Sequence, residues 1–171
     1  KEPAKPSDPS KYGYTFTGWV TEKEGNNEFL FNSPVQQTTS VYASWSQNTY
    51  VVNITAKKDG AEWNNSGKTF CLTADNGGTF LTNLSQVPDG TYKIYEGTNN
   101  PVDTGVSVTV DENAANAEIN YYTVTFYDGD TAYTSNGLEP QIILSGKSAS
   151  KPSDPSKSRY DFIKWVTAKD G

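Results

Sequence analysis

Hydrophobic and polar residues alternate with period two through most of this chain, in runs that are short. Tyr14 and Phe16 share one face, Tyr50, Val52, Ile54 and Ala56 another, and Val106, Val108 and Val110 a third. Residues 29–31, 40–45, 68–73, 79–81, 92–95, 117–119 and 141–144 add further strand-like runs, and Tyr122, Val124 and Phe126 alternate on one face. The polar run 22–28 reads as a loop. Turn-forming clusters separate these runs: Asn32-Ser33-Pro34, Lys58-Asp59-Gly60, Asp75-Asn76-Gly77-Gly78 and Pro88-Asp89-Gly90. Proline presets one dihedral and glycine admits a positive one, so these clusters bend the chain by a definite mechanism. Long apolar stripes at helical spacing are absent, and the pattern predicts a mainly β protein.

One stretch occurs twice. Residues 5–25, KPSDPSKYGYTFTGWVTEKEG, return at 151–171 as KPSDPSKSRYDFIKWVTAKDG, with 14 of 21 positions identical at a displacement of 146. Pro6/Pro152 and Pro9/Pro155 stiffen an extended lead-in, and Tyr14/Tyr160, Phe16/Phe162 and Trp19/Trp165 supply bulky anchors. A self-similar period marks an array of units.

The ordered pattern Pro6-x-x-Pro9, Gly13-Tyr14-x-Phe16-x-Gly18-Trp19 and Val41-Tyr42-Ala43-x-Trp45 resembles the Listeria-Bacteroides repeat, the module also found as the B repeat of internalin-type surface proteins. The resemblance implies a β-grasp-like fold with little helix, opened by a β-hairpin ahead of the prolines. Residues 1–48 carry the lead-in and later strands without that hairpin; residues 121–150 offer a hairpin-like opening to the second lead-in. The expected organisation is the C-terminal part of one β-grasp-like repeat at 1–48, a different module at 49–120, and the N-terminal part of the next repeat at 121–171. Incomplete sheets present unpaired edges, so head-to-tail self-association through the terminal half-repeats is an expected partnership.

Six or seven short strands with regular turns in residues 49–120 indicate an antiparallel β-sandwich. The order Phe80-x-x-x-Leu84, Pro88-Asp89-Gly90-Thr91-Tyr92-x-Ile94 resembles the prealbumin-like and collagen-adhesin B-type sandwiches of bacterial surface stalks. That resemblance implies one intramolecular chemistry, a Lys-Asn isopeptide bond assisted by a buried acid, with Lys58, Glu96 and Asn120 as candidates. By alternation Glu96 shares the face of Tyr92 and Ile94, and Lys58 that of Val52 and Ile54. Against the trio, Asn120 alternates away from Ile119 and Lys58 sits at a turn; the competing reading is an exposed lysine and a strand-end glutamate.

Composition narrows the functions. The formal net charge is -6 and the lysines are scattered, so there is no basic face for nucleic acid. His is absent and Cys71 stands alone, which leaves no hydrolytic base, no disulfide framework and no Cys/His metal site; Cys71 reads as a packed strand residue. Asp128-Gly129-Asp130 and Asp75-Asn76-Gly77 lack the further oxygen ligands of a calcium loop and read as turns. The sequons at Asn53, Asn64 and Asn83 matter only in a eukaryotic secretory route, which the resemblance argues against. Nothing marks a membrane-inserting segment, and no cofactor is expected.

Hydrophobic residues are only 34% of the chain while aromatics reach 13%, so the core leans on rings. Trp63, in a polar turn-like stretch, and Tyr95, which alternates away from Ile94, are candidates for a sugar platform, a ring covering the apolar face of a pyranose; the competing reading has Trp63 capping the sandwich core. The expectation is therefore a non-enzymatic structural and adhesive module of a bacterial cell-surface protein, extracellular and cell-wall associated, with a host protein, matrix protein or surface glycan as partner. The alternative is a carbohydrate-binding module using exposed aromatics.

Overall fold

The computed structural model describes residues 2–64, 66–75 and 77–167, so Asn65 of the second sequon, Asn76 of one predicted turn and the last four residues of the second repeat copy lie outside the described residues. Among the described residues there is no helix. Eleven strands follow in order: β1 (Tyr14–Val20), β2 (Tyr42–Gln47), β3 (Val52–Lys58), β4 (Ala61–Glu62), β5 (Phe70–Ala74), β6 (Gly90–Glu96), β7 (Val102–Val110), β8 (Ala115–Val124), β9 (Tyr127–Asp128), β10 (Thr131–Ala132) and β11 (Gln141–Leu144). The protein is mainly β, as its alternation predicts.

Two sheets enclose the main core. One has the order β11-β8-β3-β4, the other β5-β6-β7. Period-two alternation decides which side chains meet between them: Val52 and Ala56 from β3, Leu72 from β5, Tyr92 and Ile94 from β6, Val108 and Val110 from β7, and Ile119 and Tyr121 from β8. Leu72, Ile94 and Ile119 are fully enclosed, and each such side chain contributes about 1.5–3 kcal/mol through removal from water.

The sandwich departs from an all-antiparallel plan at one place. The strands β3 and β8 run parallel in register from Val52↔Ala115 to Lys58↔Tyr121. They are separated by the whole three-stranded sheet, and a parallel pair requires such a long connection. Strand β8 then runs on past residue 120, and its last four residues, Tyr121 to Val124, pair with β11. The opening of the second repeat is thus continuous with the sandwich sheet. This continuity moves the apolar face: Tyr121 is buried in the shared core whereas Tyr122 is 53% exposed, the reverse of the face formed by Tyr122, Val124 and Phe126 in the sequence pattern.

Two other predicted strands are absent. Residues 29–31 lie outside any strand, where Phe29 and Phe31 stack edge to face at 4.8 Å and the Phe29 amide donates to the Trp19 carbonyl at 2.8 Å. Residues 79–81 make only an isolated bridge between Leu81 and Leu72.

The first repeat copy forms a separate two-stranded sheet, β1 against β2, with Phe16 opposite Trp45 and Val20 opposite Tyr42. A bulge between Phe16 and Gly18 is allowed by the glycine, whose φ of 151° suits no side-chain-bearing residue. In the second copy the lead-in recurs: Lys5 pairs with Asp8 and Lys151 with Asp154, each at 3.2 Å, and the Tyr14 and Tyr160 amides donate to the Lys11 and Lys157 carbonyls at 3.1 and 3.0 Å. Residues 160–166 nevertheless form no strand.

Candidate functional site

The residues singled out for chemistry converge mainly on one end of the sandwich, where β3, β6 and β8 end or cross and the chain approaches β5. Trp63, just after β4, packs against the core and meets the Tyr121 ring edge to face at 5.3 Å. Lys58 Nζ lies 5.5 Å from the Trp63 ring centroid. The Tyr121 hydroxyl donates to Glu96 Oε2 at 2.8 Å, Lys68 forms an ion pair with Glu96 Oε1, and Lys68 Nζ lies 5.0 Å from the Tyr121 ring. Tyr121 belongs to one sheet and Glu96 to the other, so this hydrogen bond joins the two layers. Burial first, and then the Glu96 carboxylate, push the Tyr121 phenol above its ordinary range and keep it a neutral donor.

The isopeptide trio is not brought together. Glu96 accepts from Lys68 and Tyr121, while Lys58 sits over Trp63. Lys58 follows Val52 and Ala56 on the inward face of β3, whereas Asn120 lies between the buried Ile119 and Tyr121 and projects to the opposite face, across from Lys57. Trp63 and Tyr95 are likewise held in different places. Trp63 caps the core against Tyr121, and Tyr95 stacks on Phe80 at 5.1 Å. Cys71 is fully buried, its thiol within 3.1 Å of the Gly97 carbonyl, and burial pushes its pKa up, which keeps it protonated and inert. The Asp128 carboxylate takes the Lys157 ammonium at 2.9 Å beside the β9–β10 turn.

Lys68 and Tyr121 carry this network, yet neither stood out in the sequence. No local spacing announces that residues 68, 96 and 121 meet; only the sheet packing does.

Two further contacts couple the repeats to the sandwich. At the exit, the two-residue turn Asp59-Gly60 has φ of 52° and 84°, the geometry of a tight hairpin turn. Its Asp59 carboxylate accepts the Thr123 amide at 2.8 Å and the Thr123 hydroxyl at 2.6 Å, and these bonds hold the carboxyl below its ordinary pKa. At the other side, the Tyr12 hydroxyl donates to Asp111 at 2.5 Å, next to a bond within the sandwich in which the Glu112 amide donates to Asp89 at 2.6 Å. Gly13 lies so close to Asp89 that a Cβ there would stand 3.1 Å from its carboxylate oxygen. The backbone can make this approach because residue 13 has no side chain.

Fold and contacts together define a modular all-β protein whose repeat segments at both ends are knitted to a central two-sheet core. The Listeria-Bacteroides repeat domain matches residues 1–44 and 122–171, more than half of the chain, and the chain belongs to that family. Repeats of this family are typical of extracellular or surface proteins, and the chain carries repeat modules of that kind. No curated protein and no solved structure matches the chain.

Proposed function

We propose that this chain is a structural and adhesive segment of a bacterial cell-surface protein, in which a prealbumin-like or collagen-adhesin B-type sandwich acts as a rigid coupler between successive repeats in a cell-wall-associated stalk. The observation that carries the reading is the continuity of β8: the strand that ends the sandwich at Ile119 and Tyr121 also opens the next repeat at Thr123 and Val124. A stalk transmits position and force through such shared elements, and Asp59 reinforces the joint by gripping Thr123. Weak contacts along the rod would add through effective concentration.

The carbohydrate reading relies most on Trp63, whose ring is engaged with Tyr121 and the core. That engagement favours the structural role. The test is a screen of the chain and its Trp63→Ala variant against glycans and extracellular-matrix proteins, alongside solution scattering. A coupler predicts an elongated, stiff particle and no binding that depends on Trp63. Saturable glycan binding lost in Trp63→Ala would replace this reading with a recognition module.

A further inference from the structure

The two joints between repeat and sandwich are built differently. At the exit, β8 runs unbroken from Ala115 to Val124, paired with β3 as far as Tyr121 and with β11 from Tyr121 onward. Tyr121 and Leu144 stand opposite each other in the second ladder, and both are buried in the sandwich core. Asp59 adds its two bonds to Thr123. Parts joined by a continuous strand and a shared apolar core do not move independently.

The entry joint has neither feature. Among the described residues, none from 2–48 belongs to the sandwich core or packs against it as a partly buried apolar side chain. The Asn48 amide still bonds to the first repeat, donating to the Gly13 carbonyl at 2.9 Å, and Asn48 Oδ1 accepts from the Thr15 hydroxyl at 2.6 Å. The Tyr50 amide already bonds to the sandwich, donating to the Val87 carbonyl at 2.8 Å, and the Val87 amide returns the bond at 3.0 Å. Thr49, exposed and outside any strand, is the single residue between them. Backbone rotation on either side of Thr49 swings one body against the other without breaking a ladder bond. Two contacts cross the joint, and they act in opposite directions. The Tyr12 hydroxyl holds Asp111 at 2.5 Å, and because Tyr12 is 67% exposed this bond, not burial of the ring, is the hold. Gly13 sits against Asp89 Oδ2, which is buried without a hydrogen-bond partner among the described residues, so opening returns a carboxylate oxygen to water.

We propose that the chain carries a latched hinge at Thr49: the Tyr12–Asp111 bond holds the first repeat against the sandwich in one orientation, and its release lets that repeat swing while the exit joint stays fixed. Closed, the segment is as stiff as a coupler needs to be; open, it lets the chain change direction between one repeat and the next. The inference rests only on the bonds at the two joints and holds whatever the segment couples.

The test places pairs of spin labels on the full chain, at Lys23→Cys and Ser107→Cys across the entry joint and at Ser107→Cys and Ser145→Cys across the exit, all exposed positions; Cys71 is fully enclosed and takes no label. Pulsed dipolar spectroscopy reads the distance distributions. Tyr12 and Asp111 are both exposed, so substituting them disturbs no core. A narrow entry distribution is expected in the wild type. Tyr12→Phe and Asp111→Ala should each broaden it, the closed-to-open ratio falling about threefold to tenfold. The double variant should go no further than either single one, because both remove the same bond. The exit distribution should stay narrow throughout. An entry distribution that stays narrow in both single variants would overturn the hinge. One as broad in the wild type as in the variants would overturn the latch, and equal broadening at the exit would overturn the difference between the joints.

Discussion

Tyr14–Val20 and residues 160–166 are nearly the same sequence in two states. Their lead-ins match in ion pair, amide bond and backbone sign, since Gly13 has φ 71° and Arg159 φ 69°. Beyond that turn they diverge: one is a strand paired to β2 and the other is not a strand. The difference separates what neighbouring residues specify from what a distant partner must supply. A proline-stiffened turn closes on its own local bonds, whereas an edge strand exists only where another strand satisfies its amides and covers its rings.

The comparison breaks most decisively if β2 is weakened. Trp45 stacks on Phe16 at 5.6 Å, so Trp45→Ala should cost the β1–β2 unit about 2–3 kcal/mol, less than for a fully buried ring because Trp45 is half-buried. Amide exchange should then show Tyr14–Val20 opening like residues 160–166. Valine truncation sharpens the contrast. Val20→Ala should cost about 1.5 kcal/mol in denaturant unfolding and Val166→Ala no more than about 0.5 kcal/mol, because only Val20 is enclosed.

Backbone strain gives a smaller, opposite-signed pair. Arg159 holds the left-handed conformation that Gly13 holds freely, so Arg159→Gly should stabilise the second lead-in by about 1 kcal/mol. Gly13→Ala should destabilise by a similar or larger amount, since its Cβ also crowds Asp89. Thermal or denaturant melts measure both.

The smallest effect depends on pH. The hydrogen bond to Asp111 pushes the Tyr12 phenol up to about 12, while Ser158 occupies the corresponding place in the second copy. An unfolded tyrosine ionises near pH 10. The folded state therefore keeps a proton that the unfolded state loses, and this contribution is fully present below about pH 10 and vanishes as pH rises through about 12. The stability difference between wild type and Tyr12→Phe should shrink over that window. A difference that stays constant from pH 8 to 12 would show that the Tyr12–Asp111 bond plays no part in docking the first repeat.

Much of this architecture was legible in the chain. Alternation located β3, the second half of β7 and residues 117–119 of β8, because one face of each is buried there and the period is strict; past residue 120 it put the inward face of β8 on Tyr122 instead of Tyr121. Asp59-Gly60 announced its turn by residue type. The parallel pairing of β3 with β8 was not legible, since it joins residues about sixty apart and no local pattern encodes a partner. For the same reason the Glu96 carboxylate could be placed on an inward face, but its donors, Lys68 and Tyr121, could not be named. Trp63 illustrates the limit most plainly: the residues around it are polar, and only the arrival of Tyr121 from β8 brings a ring against it.

The central claim is that one repeat sequence becomes a strand only when its partner strand is present. Amide hydrogen exchange, read in the same dilute sample at Tyr14–Val20 and at residues 160–166, tests it most directly. Slow exchange at the ladder-bonded amides of β1 together with near-unprotected exchange at 161–166 is the predicted result. Equal protection in the two stretches would contradict it.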